Sequence, residues 1–129
     1  MSTYTFTPHE LRIGSVVNYV DTSEGSMIAT LDWQDLKWLT EQPDYFNQCH
    51  QPILITPDLL VKMGLKKQAD NWHAIDDIQI ESVSDKIHRV HIRGHLIKWV
   101  GYVHELQNIV HELIGVWLEL KENEQSNEK

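Results

Sequence analysis

Residues 77–93 carry the pattern that most restricts how this chain can fold, because they specify one strand pairing twice over. The pairing places Ser84, Asp85 and Lys86 in the loop of a β-hairpin. One face then pairs apolar residues: Ile78 with Ile92, and Ile80 with Val90. At the same register the other face pairs Asp77 with Arg93, Gln79 with His91, and Glu81 with Arg89. Since a slip of one residue would exchange the faces, this agreement predicts an antiparallel hairpin with one buried side.

Further strands are predicted on both sides of this hairpin. Arg12–Val20 is rich in β-branched and aromatic residues, and Met27–Trp33 alternates between two faces. The turn-forming residues 21–26 lie between them, which predicts a first hairpin. Leu96–Val100 predicts another strand.

Residues 34–51 have no readable period and stay unassigned. Leu36, Trp38 and Leu39 suit either a strand or one helical turn. Pro43 ends any helix that reaches it, because it lacks an N–H group. The remainder, 44–51, has the composition of a loop.

A short helix is predicted at 57–63. Thr56 suits the N-cap position, Pro57 the first helical position, and Gly64 the left-handed residue after the last turn. The helix has only about two turns, so it depends on packing more than on propensity.

A longer helix is predicted at 102–115. Its apolar residues recur at steps of three and four, which indicates one buried stripe: Val103, Leu106, Val110, Leu113 and Trp117. Polar residues are predicted on the opposite, exposed side: His104, Glu105, Asn108, His111 and Glu112. Val116–Leu120 follows Gly115 and is predicted to return as an edge strand.

These elements predict one α+β domain over residues 1–120. Its centre is a small, curved antiparallel sheet, of which an SH3-like partial barrel is one form. The short helix near 57–63 and the helix near 102–115 pack against this sheet. Residues 121–129 are polar and acidic, which predicts a disordered tail.

Composition excludes several classes of protein. The 129 residues contain 19 acidic side chains and 11 Lys or Arg, a net charge of −8. No apolar run approaches the ~20 residues of a membrane span, and no signal-peptide pattern opens the chain. Cys49 is the single cysteine, so no intrachain disulfide and no cysteine-rich zinc site can form. We therefore expect a cytoplasmic domain with no membrane partner.

The uneven distribution of charge raises the question of nucleic-acid binding. Residues 59–99 hold seven Lys or Arg and five Asp or Glu, although the whole chain is acidic. The predicted register places carboxylates opposite Arg89 and Arg93, and neutralised arginines release few counterions from a polyanion. This argues against a nucleic-acid partner.

Three stretches resemble a family of small proteins from phages, prophages and related mobile elements. The stretches are Leu11–Val17, Pro52–Gly64, and Tyr102–Asn108 followed by Leu113–Gly115. They are similar to the family's hRIGNhV strand, its PIPLTxxxLxxxGF strand and helix, and its YVHxLQN…LTGxxL helix. The sequence departs from this pattern at Leu54, where proline is usual, and at His111, where an aromatic residue is expected. The family has no established activity, so the resemblance implies a compact α+β domain and a mobile-element origin.

Catalytic and metal motifs are absent from the sequence. His88 and His91 fall on opposite faces of a strand, and the other histidines lack ligand spacing. Cys49 lies beside His50, but adjacent side chains rarely face each other, and no serine lies in a nucleophile elbow. We predict no catalytic residue, no metal and no cofactor, and favour a protein that is not an enzyme.

Tryptophans are the candidates for a partner surface, because the chain has five. Trp38 and Trp72 lie in the least regular segments, and tryptophan is enriched at protein interfaces. The alternative is that both plug the open ends of a small barrel.

A polar set consisting of Tyr102, His104 and Asn108, with Arg89 and His91, is a second candidate site. Its structural alternative is that Gln107 and Asn108 bind loop backbone while Tyr102 packs at the sheet rim.

The favoured function is therefore that of a non-enzymatic binding or regulatory protein of a phage or mobile element. It would act through contact with a host or phage protein, and homo-oligomerisation stays open. One alternative is a small-molecule or nucleotide binder that uses the polar set. A metal-dependent hydrolase is a third, less favoured, class.

Overall fold

The structure is a computed structural model that describes residues 5–7, 9–21 and 25–120. The predicted tail at 121–129 and the middle of the first turn, 22–24, lie outside these ranges. Two antiparallel sheets and four helices confirm the predicted α+β class. Within the described ranges neither sheet closes into a barrel. No helix there has the length and apolar character needed to cross a bilayer.

The first hairpin is confirmed and belongs to a three-stranded sheet. Strand β1 (Val16–Asp21) pairs with β2 (Gly25–Thr30) on one side and with β3 (His50–Gln51) on the other. Strand β1 begins at Val16 and not at Arg12, because the preceding residues form a turn. In that turn the N–H of Ser15 donates to the carbonyl of Arg12 at 2.9 Å.

Strand β2 ends at Thr30, before the predicted end at Trp33, because a helix begins there. This helix, α1 (Trp33–Glu41), is capped by Asp32. The Asp32 side chain accepts hydrogen bonds from the backbone N–H groups of Gln34 (3.0 Å) and Asp35 (3.1 Å). Continuing the strand would leave those donors without this cap.

Residues 43–49 correct the loop that we predicted at 44–51. Pro43 follows the end of α1, as expected, but it is also the first residue of a second helix, α2 (Pro43–Cys49). Proline suits that position because the N–H it lacks has no partner within a helix. Seven residues are too few for a stable isolated helix, so packing of the buried Phe46 decides the outcome.

The second sheet is a five-stranded antiparallel meander in the order β4-β5-β6-β7-β8. Its strands are β4 (Lys66–Ala69), β5 (Trp72–Ile75), β6 (Ile78–Ser82), β7 (His88–Ile92) and β8 (His95–Val100). The register of β6 against β7 is the predicted one at every paired position. The hairpin of β4 and β5 is not among the predicted elements.

Both predicted helices are present. Helix α3 (Pro57–Lys62) has Thr56 as its N-cap, and α4 (Val103–Ile114) ends at Gly115, whose φ of 74° is left-handed. The segment 116–120 does not form the predicted edge strand. Its Leu118 carbonyl is instead bound by a side chain of α4, as described below.

Two apolar cores hold these elements together. The larger one lies between α4 and the inner face of the meander, and its buried members include Leu60, Ile78, Ile80, Val90, Val103, Leu106 and Val110. The smaller one joins the N-terminal segment to the first sheet and helices: Phe6, Leu11, Val17, Leu31, Leu39 and Phe46. The meander therefore has a covered inner face and an outer face free of these cores.

Candidate functional site

The polar residues of α4 that the sequence offers as site residues bind the protein's own chain. Tyr102 is the N-cap residue, and its N–H donates to Glu105 Oε1 at 3.2 Å. Asn108 Nδ2 donates to the carbonyl of Glu10 at 2.8 Å. These contacts fix the start of the helix and fasten the N-terminal segment to it.

His104 corrects the predicted exposed side of α4, because its side chain is 0 % exposed. Its Nε2 lies 3.0 Å from Glu10 Oε1, and its ring meets the edge of Phe6. Burial lowers the pKa of His104, although the hydrogen bond and the charge of Glu10 partly oppose this. His104 therefore belongs to the packing between α4 and the N-terminal segment.

The Gln107 side chain binds backbone groups of other segments, which is the structural alternative predicted for this helix. Its Oε1 accepts from the N–H of Val16 (2.9 Å), and its Nε2 donates to the carbonyls of Gly14 (3.0 Å) and Leu118 (2.8 Å). One buried amide thus connects α4, strand β1 and the segment 116–120. The most specific part of the motif that resembles the phage family has a structural role in this fold.

Trp38 lies in the smaller core and not on the meander. Its ring stands edge-on to Tyr45, Phe46 and His50, with centroid separations between 5.1 and 5.8 Å. The side chain is partly buried there. Trp38 and Trp72 therefore lie on different sheets and do not form one surface.

Three of the predicted residues, Trp72, Arg89 and His91, meet on the outer face of the meander. Register places Trp72 of β5 opposite Glu81 of β6, Glu81 opposite Arg89 of β7, and Arg89 opposite Trp99 of β8. These four side chains form a single line across four strands, which we call the tryptophan row. Tyr102, His104 and Asn108 belong to α4 and its N-cap, which pack on the inner face of the meander. The fold therefore does not bring them together with Arg89 and His91, and the second candidate site is not assembled.

Short contacts hold the tryptophan row in place. Arg89 Nη1 donates to Glu81 Oε1 at 3.4 Å, and the Arg89 guanidinium carbon lies 4.6 Å from the ring centroid of Trp99. His91 Nε2 also lies 3.2 Å from Glu81 Oε1, and the His91 ring is 5.3 Å from that of Trp72. Each tryptophan therefore packs against a polar group that is itself tied to Glu81.

The row combines exposed aromatic surface with charges that are already paired. Trp99 is 48 % exposed and Trp72 is partly exposed. Arg93, in the turn between β7 and β8, pairs with Asp77 at 3.1 Å, as the hairpin register predicts. The row itself offers rigid aromatic area, and its arginine is already paired, which suits a protein surface better than a phosphate backbone.

The described residues give little support to metal or nucleophilic chemistry. Among them, no group of three or more His, Cys, Asp or Glu is arranged to hold a metal ion. His88 is buried on the inner face while His91 faces outward, as predicted. His50 is buried, and its Nδ1 contacts the carbonyl of Phe46 at 2.8 Å. Its ring also stacks on that of Phe46 at 3.9 Å.

Trp99 is one of the five tryptophans, but the sequence does not single it out as a site residue. A two-residue turn at Arg93 and Gly94 pairs Ile92 with His95, and a regular ladder from there would set Trp99 opposite His88 on the inner face. An irregularity between Val90 and His91 shifts the pairing by one residue. The resulting bulge turns Trp99 outward, and a bulge of this kind has no clear signal in a single sequence.

The fold and the row define an α+β domain with an uncovered aromatic sheet face. No protein-family model matches this chain, and neither a curated protein nor a solved structure matches it. The function is therefore inferred from the exposed residues and their geometry.

Proposed function

We propose that this chain is a non-enzymatic binding or regulatory protein that contacts a partner protein through the tryptophan row. The observation that carries this proposal is the line of Trp72, Glu81, Arg89 and Trp99 across the uncovered face of the meander. Tryptophan and arginine are enriched among the few residues that carry most of the binding energy of protein interfaces.

Preorganisation supports the same proposal. Arg89 is held by Glu81 on one side and covered by Trp99 on the other. A partner that stacks on this surface has few side-chain rotamers left to immobilise, so less free energy is lost on binding. The paired Arg89 also carries further Nη N–H groups that can donate to a partner's carbonyl or carboxylate oxygen.

The biological setting is proposed from the sequence. The three motifs that resemble a mobile-element family favour a phage or prophage protein that acts on a host or phage protein. The single free Cys49 fits the reducing cytoplasm of a host cell. The net charge of −8 favours a partner with a neutral or basic contact surface and disfavours nucleic acid.

Replacement of Trp99 by alanine is expected to reduce partner capture about tenfold or more, as for a hot-spot residue. Trp99 is half exposed on an edge strand, so the variant should remain folded. The measurement is a pull-down from host lysate, in which each captured protein is quantified by mass spectrometry. Trp33→Ala is the matched control, because Trp33 is 60 % exposed on α1 and lies outside the row.

Retention of every captured protein by Trp99→Ala would remove the row from the proposal. Equal losses from Trp99→Ala and Trp33→Ala would show capture through general hydrophobic contact. Nuclease treatment of the lysate tests whether nucleic acid mediates the capture. Loss of the captured proteins after this treatment would point to a nucleic-acid bridge.

A further inference from the structure

A cavity of about 510 Å³ lies at one end of the meander, and no residue of the tryptophan row lines it. It opens between the loop of β6 and β7, the turn of β4 and β5, and the segment that leads into α3. Its volume lies within the range of roughly 300–1,000 Å³ that is usual for small-molecule sites.

Backbone contacts fix the walls of this cavity. The N–H of Ser82 donates to the carbonyl of Asn71 at 2.8 Å, which ties the two hairpins together. The N–H of Ile55 donates to the carbonyl of Gly101 at 3.3 Å. Gly101 itself passes so close to the β6–β7 loop that an added Cβ would lie 2.8 Å from the carbonyl oxygen of Lys86. The space is therefore formed before any ligand arrives.

The lining combines hydrocarbon with uncompensated negative charge. Its apolar part consists of Leu54, Ile55, Pro57 and Val83. Two carboxylates, Asp70 and Asp85, also line it, and neither forms an ion pair with the part of the chain that the structure describes. No lysine or arginine is among the lining residues.

His88 is the basic residue in this lining, and it does not offset the carboxylates. Its side chain is buried, and burial lowers its pKa, with the carbonyls of Asp85 and Ile55 and the charge of Asp85 in partial opposition. Its Nδ1 lies 3.0 Å from Ser82 Oγ. Its Nε2 makes no hydrogen bond of good geometry to any described residue, so the wall holds one unsatisfied polar atom.

We propose that this cavity binds a small organic amine, with its ammonium group near Asp70 and Asp85 and its hydrocarbon part against the apolar wall. The two carboxylates stabilise a positive charge, and an anion in the same place would be repelled by both. Burial of hydrocarbon against the apolar lining residues adds affinity that a bare metal ion could not gain. This site is separate from the proposed protein contact, so either proposal can fail alone.

Phenethylamine is the probe, because it joins one ammonium group to an aromatic body. Titration of the ¹⁵N-labelled protein to about 20 mM is expected to give saturable amide shifts at Asn71, Ser82 and His88. The neutral 2-phenylethanol should bind about fivefold more weakly, and the anionic 3-phenylpropionate should give no saturable shift.

Neutralising both carboxylates distinguishes binding of the amine in this cavity from its general attraction to an acidic protein. The Asp70→Asn, Asp85→Asn double variant is expected to bind the amine about fivefold more weakly. Asp76→Asn removes one equal charge in the β5–β6 turn, outside the cavity, and should leave binding unchanged. Both carboxylates are exposed, so the variants should fold, and unchanged amide spectra elsewhere verify this.

Equal affinity for the amine and the alcohol would overturn the proposal. So would a double variant that binds like the unmodified protein, or shifts that map to the tryptophan row instead of the cavity. Absence of any saturable shift at the highest amine concentration would overturn it as well.

Discussion

Acidification from about pH 7.5 to about pH 5.5 is expected to lower the free energy of unfolding, because the fold buries four histidines whose pKa values are lowered. His50, His73, His88 and His104 are each at most 2 % exposed. Burial is the largest cause that lowers the pKa of each one from its ordinary value of 6.5. Urea unfolding at a series of pH values measures the effect.

The sign follows from which state binds protons. Above pH 6.5 the histidines are neutral in both states, so their contribution to stability is fully present. Below pH 6.5 the unfolded chain binds more protons at these histidines than the fold does, because their pKa values are lowered in the fold, and this favours unfolding until the pH passes below the lowered pKa values. Each histidine can contribute up to about 1.4 kcal/mol per pH unit in that window. The four contributions add, so the loss on acidification should be measurable against the roughly 5–15 kcal/mol that stabilises a typical domain.

His73→Leu isolates one of these four contributions. Neither ring nitrogen of His73 has a hydrogen-bond partner among the described residues, and its side chain lies on the core side of β5 opposite Ile80. Burial, and next the nearby charge of Lys67, lower its pKa. The variant should be more stable than the original protein, and the gain should grow by up to about 1.4 kcal/mol for each pH unit below 6.5. Parallel pH profiles of the two proteins would contradict the assignment.

Gln107→Leu is expected to lower the free energy of unfolding by about 2–6 kcal/mol, although leucine has a similar size. The substitution leaves the N–H of Val16 and the carbonyl of Leu118 buried without their partners, at about 1–3 kcal/mol each. The carbonyl of Gly14 keeps one hydrogen-bond donor in this variant, because Trp117 Nε1 also donates to it at 3.3 Å. Urea unfolding at neutral pH gives the value.

Gln79→Leu is the matched control for this experiment. Gln79 carries the same amide on the outer face of the meander, where its Nε2 donates to Gln68 Oε1 at 3.3 Å. Surface substitutions away from special features usually change stability by about 0.5 kcal/mol or less. Similar losses from both variants would show that the network around Gln107 carries no special share of the stability.

The local sequence pattern predicted those elements whose conformation depends mainly on their own residues. The hairpin 77–93 is one, because apolar pairing and charge pairing select the same register, and the ion pairs of Arg89 and Arg93 follow from it. Helix α4 is another, since Val103, Leu106 and Val110 of its apolar stripe are buried and Gly115 caps its end, although Trp117 of that stripe lies beyond the helix. Three of the predicted site residues, Trp72, Arg89 and His91, do meet on one face.

Other elements were beyond local pattern because distant contacts decide them. Helix α2 is too short to be stable alone and depends on the burial of Phe46. His104 lies on the side of α4 that a helical projection marks as exposed, but the N-terminal segment covers that side. A helical period cannot show that a segment almost a hundred residues away will pack there.

The sequence by itself determined the α+β class, the central hairpin with its neutralised arginines, and the stripe that fastens α4 to the sheet. Tertiary structure alone decided that the tryptophan row exists. Strand β8 turns Trp99 outward and Val100 inward through a bulge. The physical reason is space, because the closely packed interior beneath α4 accepts the smaller valine, while the indole finds a partner in the Arg89 guanidinium on the open face.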